Sequence, residues 1–333
     1  MFIIESYFWA VICCLITMLC WGSWANTQKL AGKEWRFELF YWDYVLGVVL
    51  LSFVTAFSLG SHGQAGRSFV ADVLQADFGN LASAAFGGVV FNAANILLVA
   101  AIAIAGMSVA FPVGIGLALV LGVLVNYVAA PVGDPLFLFA GVALIVAAIV
   151  LDAVAYRSLP GQESGVTTKG LVLSLLCGVL MGFFYRFVAR SMSLDFANLE
   201  TGKLGPYAAV VFFALGLLVS NFVFNSIIMK RPFVGAPVKY GRYFQGDFRL
   251  HSIGVLGGVI WGVGMMLNIL ASGQAGFAIS YGLGQGATMI AAVWGVFIWR
   301  EFAKAPKSTN RLLVMMFFGY LLGLVLIILA RIV

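Results

Sequence analysis

The chain reads Phe111-Pro112-Val113-Gly114-Ile115-Gly116 and, 170 positions later, Tyr281-Gly282-Leu283-Gly284-Gln285-Gly286. Each stretch follows a short turn of small residues and continues into a long apolar segment. An asparagine precedes each copy, Asn95 in the first and Asn268 in the second, at a spacing of 173 that requires a three-residue gap. We interpret the match as one helix pair that is duplicated in the two halves of the protein.

Apolar residues dominate the composition. Hydrophobic residues make up 62% of the 333 residues and charged residues 10%, whereas soluble domains carry about 45–50% apolar and about 25% charged residues. A water-soluble fold has too little interior to bury so much apolar surface, so the chain is predicted to lie in a bilayer. The excess of 19 Lys and Arg over 13 Asp and Glu then indicates cytoplasmic loops rather than nucleic-acid binding.

The cysteines and histidines do not follow a metal-binding pattern. All four cysteines fall inside apolar runs, and His62 and His251 are far apart and near loops. We therefore expect no metal and no cofactor. The sequence has no glycine-rich loop before a lysine of the kind that binds nucleotide phosphates, so ATP-driven transport is not expected.

Ten apolar segments are long enough to cross about 30 Å of hydrocarbon as helices. They are apolar throughout, whereas the strands of a membrane barrel would alternate in polarity. The sequence predicts an all-α polytopic membrane protein with ten transmembrane helices, near residues 7–28, 40–59, 79–103, 107–128, 134–155, 168–190, 206–229, 251–271, 275–299 and 311–331.

Basic residues fall mainly on one side when successive helices alternate in direction. The connections that follow odd-numbered helices carry fourteen of the 19 Lys and Arg, and the other side carries five. The positive-inside rule predicts that the richer side is cytoplasmic and that both termini are outside.

The helices divide into residues 1–157 and 170–333, joined by a linker at 158–169. An odd number of helices per half predicts two inverted five-helix repeats with a substrate site between them.

Two motifs carry a family resemblance. Helix 1 ends in Trp21-Gly22-Ser23-Trp24, and helix 2 begins with Tyr41-Trp42-Asp43-Tyr44. With the 5 + 5 plan and the glycine-rich helices 4 and 9, these motifs resemble the drug/metabolite transporter superfamily, and within it the glucose/ribose porter and ureide permease branch. The resemblance implies a permease, not an enzyme, that imports a small polar metabolite by alternating access. The linker is shorter than the central cytosolic loop of plant ureide permeases. The resemblance therefore implies a sugar such as glucose or ribose first, and a ureide, nucleobase or nucleoside next.

Aromatic and amide side chains inside the spans are the candidate substrate-binding residues. Tryptophan can stack on a sugar or a planar ring, although it also anchors helices at the membrane interface. Neutral amides suit substrates rich in hydroxyl or amide groups, or they join helices for about 0.6–2 kcal/mol each. The candidates are Trp21, Asn92, Asn95, Asn268, Tyr281 and Gln285.

Acidic residues in the spans are the candidates for proton coupling, because ionisable groups are costly in a membrane. Asp43 lies early in helix 2 beside three aromatic residues, where desolvation would favour its protonated form; the alternative is that it caps the helix. Asp152 is nearer a helix end. The glycines of helices 4 and 9 allow either close packing or hinge motion.

Other function classes require features that the sequence lacks. An integral membrane enzyme would need His, Asp and Glu converging at one depth, and a multidrug exporter would need more embedded acids to hold cations. A channel would differ by having no occluded state. We expect a permease of the plasma (inner) membrane whose partners are a small polar metabolite, the lipid bilayer and, if transport is symport, protons.

Overall fold

Ten long helices make up the body of the protein. The computed structural model describes residues 1–32, 35–159 and 167–333; Lys33, part of the first loop, and most of the predicted linker lie outside these ranges. In the described part of the chain every regular element is helical, which confirms the predicted all-α membrane fold. The spanning helices are α1 Tyr7–Ala31, α2 Phe37–Phe57, α3 Phe78–Ala105, α4 Phe111–Ala129, α5 Pro135–Arg157, α6 Thr168–Ser191, α7 Pro206–Lys230, α8 Phe248–Ala275, α9 Phe277–Ile298 and α10 Thr309–Leu329.

Polar caps determine where several of these helices begin. The side chain of Asp134 accepts a hydrogen bond from the backbone N–H of Phe137 at 3.0 Å, at the start of α5. Asp247 caps α8 in the same way, through the N–H of Leu250 at 2.8 Å. A side-chain oxygen at this position satisfies one of the free N–H groups of the first turn, so each cap fixes where the chain enters the bilayer.

The outer faces of the helices are apolar. Large hydrophobic side chains such as Leu50, Phe222 and Phe318 are more than half exposed on the isolated chain. An apolar surface of this extent is not stable in water but is the expected surface of a protein in lipid. The chain is therefore an integral, multi-pass membrane protein.

Connections that follow odd-numbered helices lie together at one end of the molecule, which we call the basic end. Lys29, in the last turns of α1, forms an ion pair with Glu301 beyond α9 at 3.0 Å. Arg36, before α2, donates hydrogen bonds to the backbone oxygens of Val234 and Ala236 in the α7–α8 loop. Contacts between these loops show that the helices alternate in direction as predicted.

The remaining connections meet at the opposite end. Arg67, between α2 and α3, donates to the backbone oxygens of Leu199, Glu200 and Lys203 in the α6–α7 loop, at 2.8–3.1 Å. It also pairs with Asp72 at 3.1 Å. Burial raises the pKa of the Asp72 carboxyl, and the hydrogen bonds that it accepts oppose that rise.

Cysteine labelling tests which end is cytoplasmic. In a background without the native cysteines, Ala236→Cys at the basic end should resist a membrane-impermeant maleimide in intact cells and react after permeabilisation, because the positive-inside rule places this end in the cytoplasm. Ala236 is exposed, whereas the neighbouring Gly235 has a φ of 87° that disfavours cysteine. Ala197→Cys, exposed at the opposite end, is the control and should react without permeabilisation. The reverse pattern would invert the topology.

Helix packing follows a pattern that repeats when helix numbers are shifted by five. Helix α3 packs against α6 and α7, and α8 packs against α1 and α2. Helix α4 packs against α6, and α9 packs against α1. Exchange of two similar halves would produce these pairs. The organisation into two inverted repeats, 1–157 and 170–333, stays a prediction.

Glycines permit the closest of these helix crossings. A Cβ atom on Gly88 of α3 would overlap the backbone oxygen of Phe213 in α7, and a Cβ on Gly258 of α8 would overlap the backbone oxygen of Tyr44 in α2. The two glycines are 170 positions apart. Backbones approach this closely only where no side chain intervenes.

The register of the duplication is 170 throughout the helix pair, without a gap. Helices α3 and α8 begin and end 170 positions apart, and each is followed by a glycine with positive φ, Gly106 at 74° and Gly276 at 81°. In this register Asn95 is not the counterpart of Asn268. The three-residue gap in our sequence alignment is therefore wrong, because it matched two asparagines instead of the helix ends.

Candidate functional site

A cavity of about 400 Å³ lies near the middle of the helix bundle, between the two halves. Helices α1, α3, α4, α6, α8 and α9 contribute its walls. Aromatic and polar side chains of its lining include Trp21, Gln28, Phe91, Asn95, Phe184, Trp261, Gln285 and Thr288.

Aromatic rings form one wall of this central cavity. Trp21 and Trp261 stack with ring centroids 5.9 Å apart and an interplanar angle of 13°. The ring of Phe91 lies 4.4 Å from that of Trp261 and 5.2 Å from that of Phe184. The indole N–H of Trp21 donates to the backbone oxygen of Trp261 at 3.2 Å, which fixes the orientation of its ring. A rigid aromatic wall of this kind suits a planar ligand.

Two amide side chains supply most of the polarity. The amide nitrogen of Asn95 donates to the hydroxyl of Tyr41 at 3.2 Å, so its carbonyl oxygen remains available as an acceptor. The Gln285 side chain makes no hydrogen bond to the described residues although it is 92% buried (8% exposed), and it offers both a donor and an acceptor. The hydroxyl of Thr288 donates a hydrogen bond to the backbone oxygen of Gln285 at 3.0 Å.

Two helix irregularities coincide with this cavity. Helix α4 begins with a π-helical turn, Phe111–Ile115. Helix α9 is interrupted at Gln285–Gly286, between the segments Phe277–Gly284 and Ala287–Val293. Both irregularities fall in the two stretches that match each other in the sequence. Local departures from the α-helix frequently mark functional positions.

No ionisable side chain lines the central cavity among the described residues. A charged ligand would leave its hydration shell there without a compensating charge, at high cost. The cavity therefore suits a neutral ligand that has a planar face and an edge of amide-like donors and acceptors.

A vestibule of about 730 Å³ connects the cavity to the basic end. The two share Ala25, Gln28, Val99 and Ala103. Charged residues appear only in the vestibule, where Lys29, Arg36 and Glu38 are part of the lining. The structure is thus open toward the basic end.

Tyrosines close the path toward the opposite end. Tyr281 is fully buried and donates to the backbone oxygens of Met181 at 3.0 Å and Ala118 at 3.2 Å, which ties α9 to α6 and α4. The preceding residue, Ser280, shares a hydrogen bond of 3.1 Å with Tyr185 of α6. These bonds have to break for the cavity to open on that side.

The six predicted substrate-binding residues divide into two groups. Trp21, Asn95 and Gln285 line the central cavity. Asn92 instead donates to the hydroxyl of Ser220 at 2.8 Å, and Asn268 donates to the backbone oxygen of Ser280 at 2.7 Å. Tyr281 bridges three helices. A substrate-binding role stays a prediction for all six, and the geometry favours the first group.

Sequence reasoning missed Trp261, Phe91 and Phe184 as cavity residues. A signal was present, because Phe91 and Trp261 are 170 positions apart and occupy matching places in α3 and α8. Trp24 of α1 and Phe184 of α6, which are 160 positions apart, are likewise both lining residues. Both pairs become recognisable only when the duplication is aligned by helix ends.

Asp43, the predicted proton-coupling residue, lies at the basic end of α2 and does not line the cavity. It is 2% exposed and accepts hydrogen bonds from the Tyr243 hydroxyl at 2.6 Å and from His251 Nδ1 at 2.9 Å. Burial, and then the Asp43 carboxylate, raise the pKa of Tyr243, so the tyrosine remains a donor. A separation of 208 residues hid the His251 contact from sequence reasoning.

The family model and the similar proteins of known sequence point to the same family. A family model described as ureide permease matches residues 157–330, slightly more than half of the chain. Ureide permease 2 of Arabidopsis thaliana is 22% identical, over 96% of each protein. Ureide permease 1 of the same plant is 22% identical, over 97% of each. The alignment with Ureide permease 2 extends over 385 positions, more than the 333 residues of this chain, so the plant protein contains inserted residues.

More distant similarities agree with a membrane protein of this fold. Transmembrane protein 144 homolog B of Dictyostelium discoideum is 23% identical, over 46% of this chain and 39% of its own length. A protein of known crystal structure is 15% identical and superposes with a TM-score of 0.60, over 97% of both chains. At this identity the structural match shows a shared fold.

Proposed function

The chain belongs to the ureide permease family, a family of membrane transporters rather than enzymes, and from this premise we propose that it moves a neutral ureide across the membrane by alternating access. The observation that supports this proposal best is the central cavity. It lies between the two halves, has an aromatic wall and three amide side chains, and has no charged lining group among the described residues.

The chemistry of a ureide matches this lining. A ureide contains a carbonyl group between two nitrogens, and this ureido unit is planar, uncharged, and presents N–H donors beside a C=O acceptor. One face can lie against the aromatic wall. An N–H can donate to the free carbonyl oxygen of Asn95, and the Gln285 amide can bond to the carbonyl and to a second N–H. Each polar edge of the ligand then has a partner in the cavity.

The comparisons support a ureide over the sugar that our sequence analysis placed first. A sugar ring is not planar and carries hydroxyls around its whole rim, each of which requires a polar partner when buried. The central cavity offers mainly apolar and aromatic contacts. A nucleobase is the second candidate, because it presents the same planar edge of N–H and C=O groups.

The open vestibule fits the end of an import cycle. With the basic end in the cytoplasm, this conformation would release substrate inward, and the Tyr281 bonds would keep the outer side closed. We also propose that transport is import into the cell, that a proton gradient drives it, and that the protein lies in the plasma membrane.

A stability screen of the purified protein tests the substrate class. A ligand that binds only the native state stabilises it, and the effect grows with the logarithm of ligand concentration over Kd, so the cyclic ureides hydantoin and allantoin should raise the melting temperature. Uracil should give a smaller rise, and glucose and ribose none. A rise with glucose alone would contradict the proposal.

Uptake into proteoliposomes then separates a transporter from a channel. A transporter should give saturable uptake of labelled allantoin that accelerates when unlabelled allantoin is present on the other side. Uptake that rises linearly with concentration and shows no such acceleration would indicate a channel.

A further inference from the structure

Asp152 is a buried acid that neither the fold nor the substrate cavity explains. It lies on α5, one turn before Tyr156, and is 3% exposed. Its Oδ1 atom has no hydrogen-bond partner among the described residues. Asp43 differs, because Tyr243 and His251 already satisfy its carboxylate.

Three titratable groups lie close enough to Asp152 to interact with it electrostatically. Tyr156 is on the same helix, Glu301 follows α9, and Tyr320 is on α10. Glu301 accepts a hydrogen bond from the Tyr156 hydroxyl at 2.8 Å and pairs with Lys29 at 3.0 Å. Lys29, the cation of this cluster, is therefore already paired with Glu301. A carboxylate at Asp152 would have Glu301, a second acid, as its charged neighbour.

A carboxylate without a cation is costly inside a membrane protein, whereas the neutral acid is not. The burial of Asp152 and the lack of a partner for its Oδ1 among the described residues therefore favour the neutral acid over the carboxylate in this conformation. The proton can leave when a rearrangement admits water to the carboxyl group. This behaviour is what a carrier of protons requires.

The position of Asp152 links the vestibule to the substrate cavity. Toward the basic end, Tyr156 and Glu301 lead to Lys29, which lines the vestibule. Toward the cavity, the Tyr320 hydroxyl is next to Thr288, a lining residue. Tyr320 is itself 1% exposed. A movement of α9 on substrate binding would therefore alter the surroundings of Asp152 on its vestibule side and on its cavity side.

We propose that Asp152 binds and releases the proton that drives transport, with Tyr156 and Glu301 joining it to water in the vestibule. The step is a transfer of one proton from water to a carboxylate oxygen and back to water on the other side. The proposal rests on the proposed function, because it concerns the coupling of that transport cycle.

Labelled allantoin in proteoliposomes provides the test, in two assays. The first measures exchange of allantoin at equal concentrations on both sides without a pH gradient. The second measures accumulation against a concentration gradient when a pH gradient is imposed. Asp152→Asn should keep exchange within about twofold of the wild type and lose accumulation, because asparagine preserves the shape but cannot release a proton. Asp152→Glu, which keeps a carboxyl group, should still accumulate allantoin.

Asp43→Asn decides between the two buried carboxylates and should retain accumulation driven by the pH gradient. If it loses accumulation while Asp152→Asn retains it, the role belongs to Asp43, as our sequence analysis expected, and the inference is overturned. If Asp152→Asn does not fold, Asp152→Leu replaces the acid with an apolar side chain of similar size, which buried sites often tolerate. Accumulation by a folded Asp152→Leu protein would equally overturn the inference.

The two assays also distinguish failure of this inference from failure of the proposed function. Wild-type protein that exchanges allantoin but ignores the pH gradient would refute proton coupling through Asp152 and leave ureide transport intact. Wild-type protein that exchanges neither allantoin nor hydantoin would refute the proposed function and this inference with it.

Discussion

The double variant Asn95→Ala/Gln285→Ala is expected to bind allantoin about a hundredfold more weakly than the wild-type protein. A neutral hydrogen bond contributes about 0.5–1.5 kcal/mol, and a buried polar group left unpaired costs about 1–3 kcal/mol. Losing both amides leaves two N–H groups and a C=O of the ligand without their partners in an apolar cavity. A total of about 3 kcal/mol corresponds to roughly a hundredfold change in Kd.

Calorimetric titration of the purified variants with allantoin measures this effect. The matched control is Asn126→Ala, which removes a buried asparagine whose amide bonds to Gly122 of its own helix at 2.8 Å, outside the cavity. Its Kd should stay within about twofold of the wild-type value, because none of its partners touches the ligand. If the double variant binds allantoin with wild-type affinity, neither amide contributes to the binding site.

Gly216→Ala is expected to destabilise the protein by about 3 kcal/mol or more. A Cβ atom at Gly216 in α7 would overlap the backbone carbonyl oxygen of Ala85 in α3. Backbone cannot yield as a flexible side chain does, so the two helices must separate, and the contacts along the crossing weaken together. Gly258→Ala, at the corresponding crossing of α8 and α2, is expected to behave in the same way.

Gly116→Ala supplies the control for this prediction. A Cβ at Gly116 in α4 meets no atom within 4 Å, so the substitution should be neutral or stabilise the helix by up to about 1 kcal/mol. Melting temperature and the monodisperse fraction on size-exclusion chromatography report both effects. A Gly216→Ala protein as stable as Gly116→Ala would show that the crossing is looser than the structure indicates.

The number, type and direction of the helices are properties that the sequence determines by itself. Whether a segment spans a bilayer depends on its own length and apolar content, and each contribution is local and adds along the chain. The matching stretches Phe111–Gly116 and Tyr281–Gly286 also mark two of the helices that border the cavity, and their likeness is visible in the sequence alone. The family resemblance pointed to a permease for the same reason, because short motifs are local.

Tertiary structure alone decided which polar residues face the cavity. Asn92 and Asn95 are three positions apart on α3, yet one bonds to Ser220 of α7 and the other borders the cavity beside Tyr41. The partner of a side chain depends on which helix packs against that turn. Sequence spacing does not contain this information, because the contact between Asn92 and Ser220 joins residues more than a hundred positions apart.

The environments of the two buried acids were also decided by packing. Asp43 is satisfied by His251, 208 positions away, whereas one oxygen of Asp152, near residues of α10 and the α9–α10 connection, has no partner in the described part of the chain. From the sequence both are aspartates near helix ends. Desolvation and pairing act over a few ångströms in space, so only the folded arrangement shows that one carboxylate has its hydrogen-bond donors and the other lacks them.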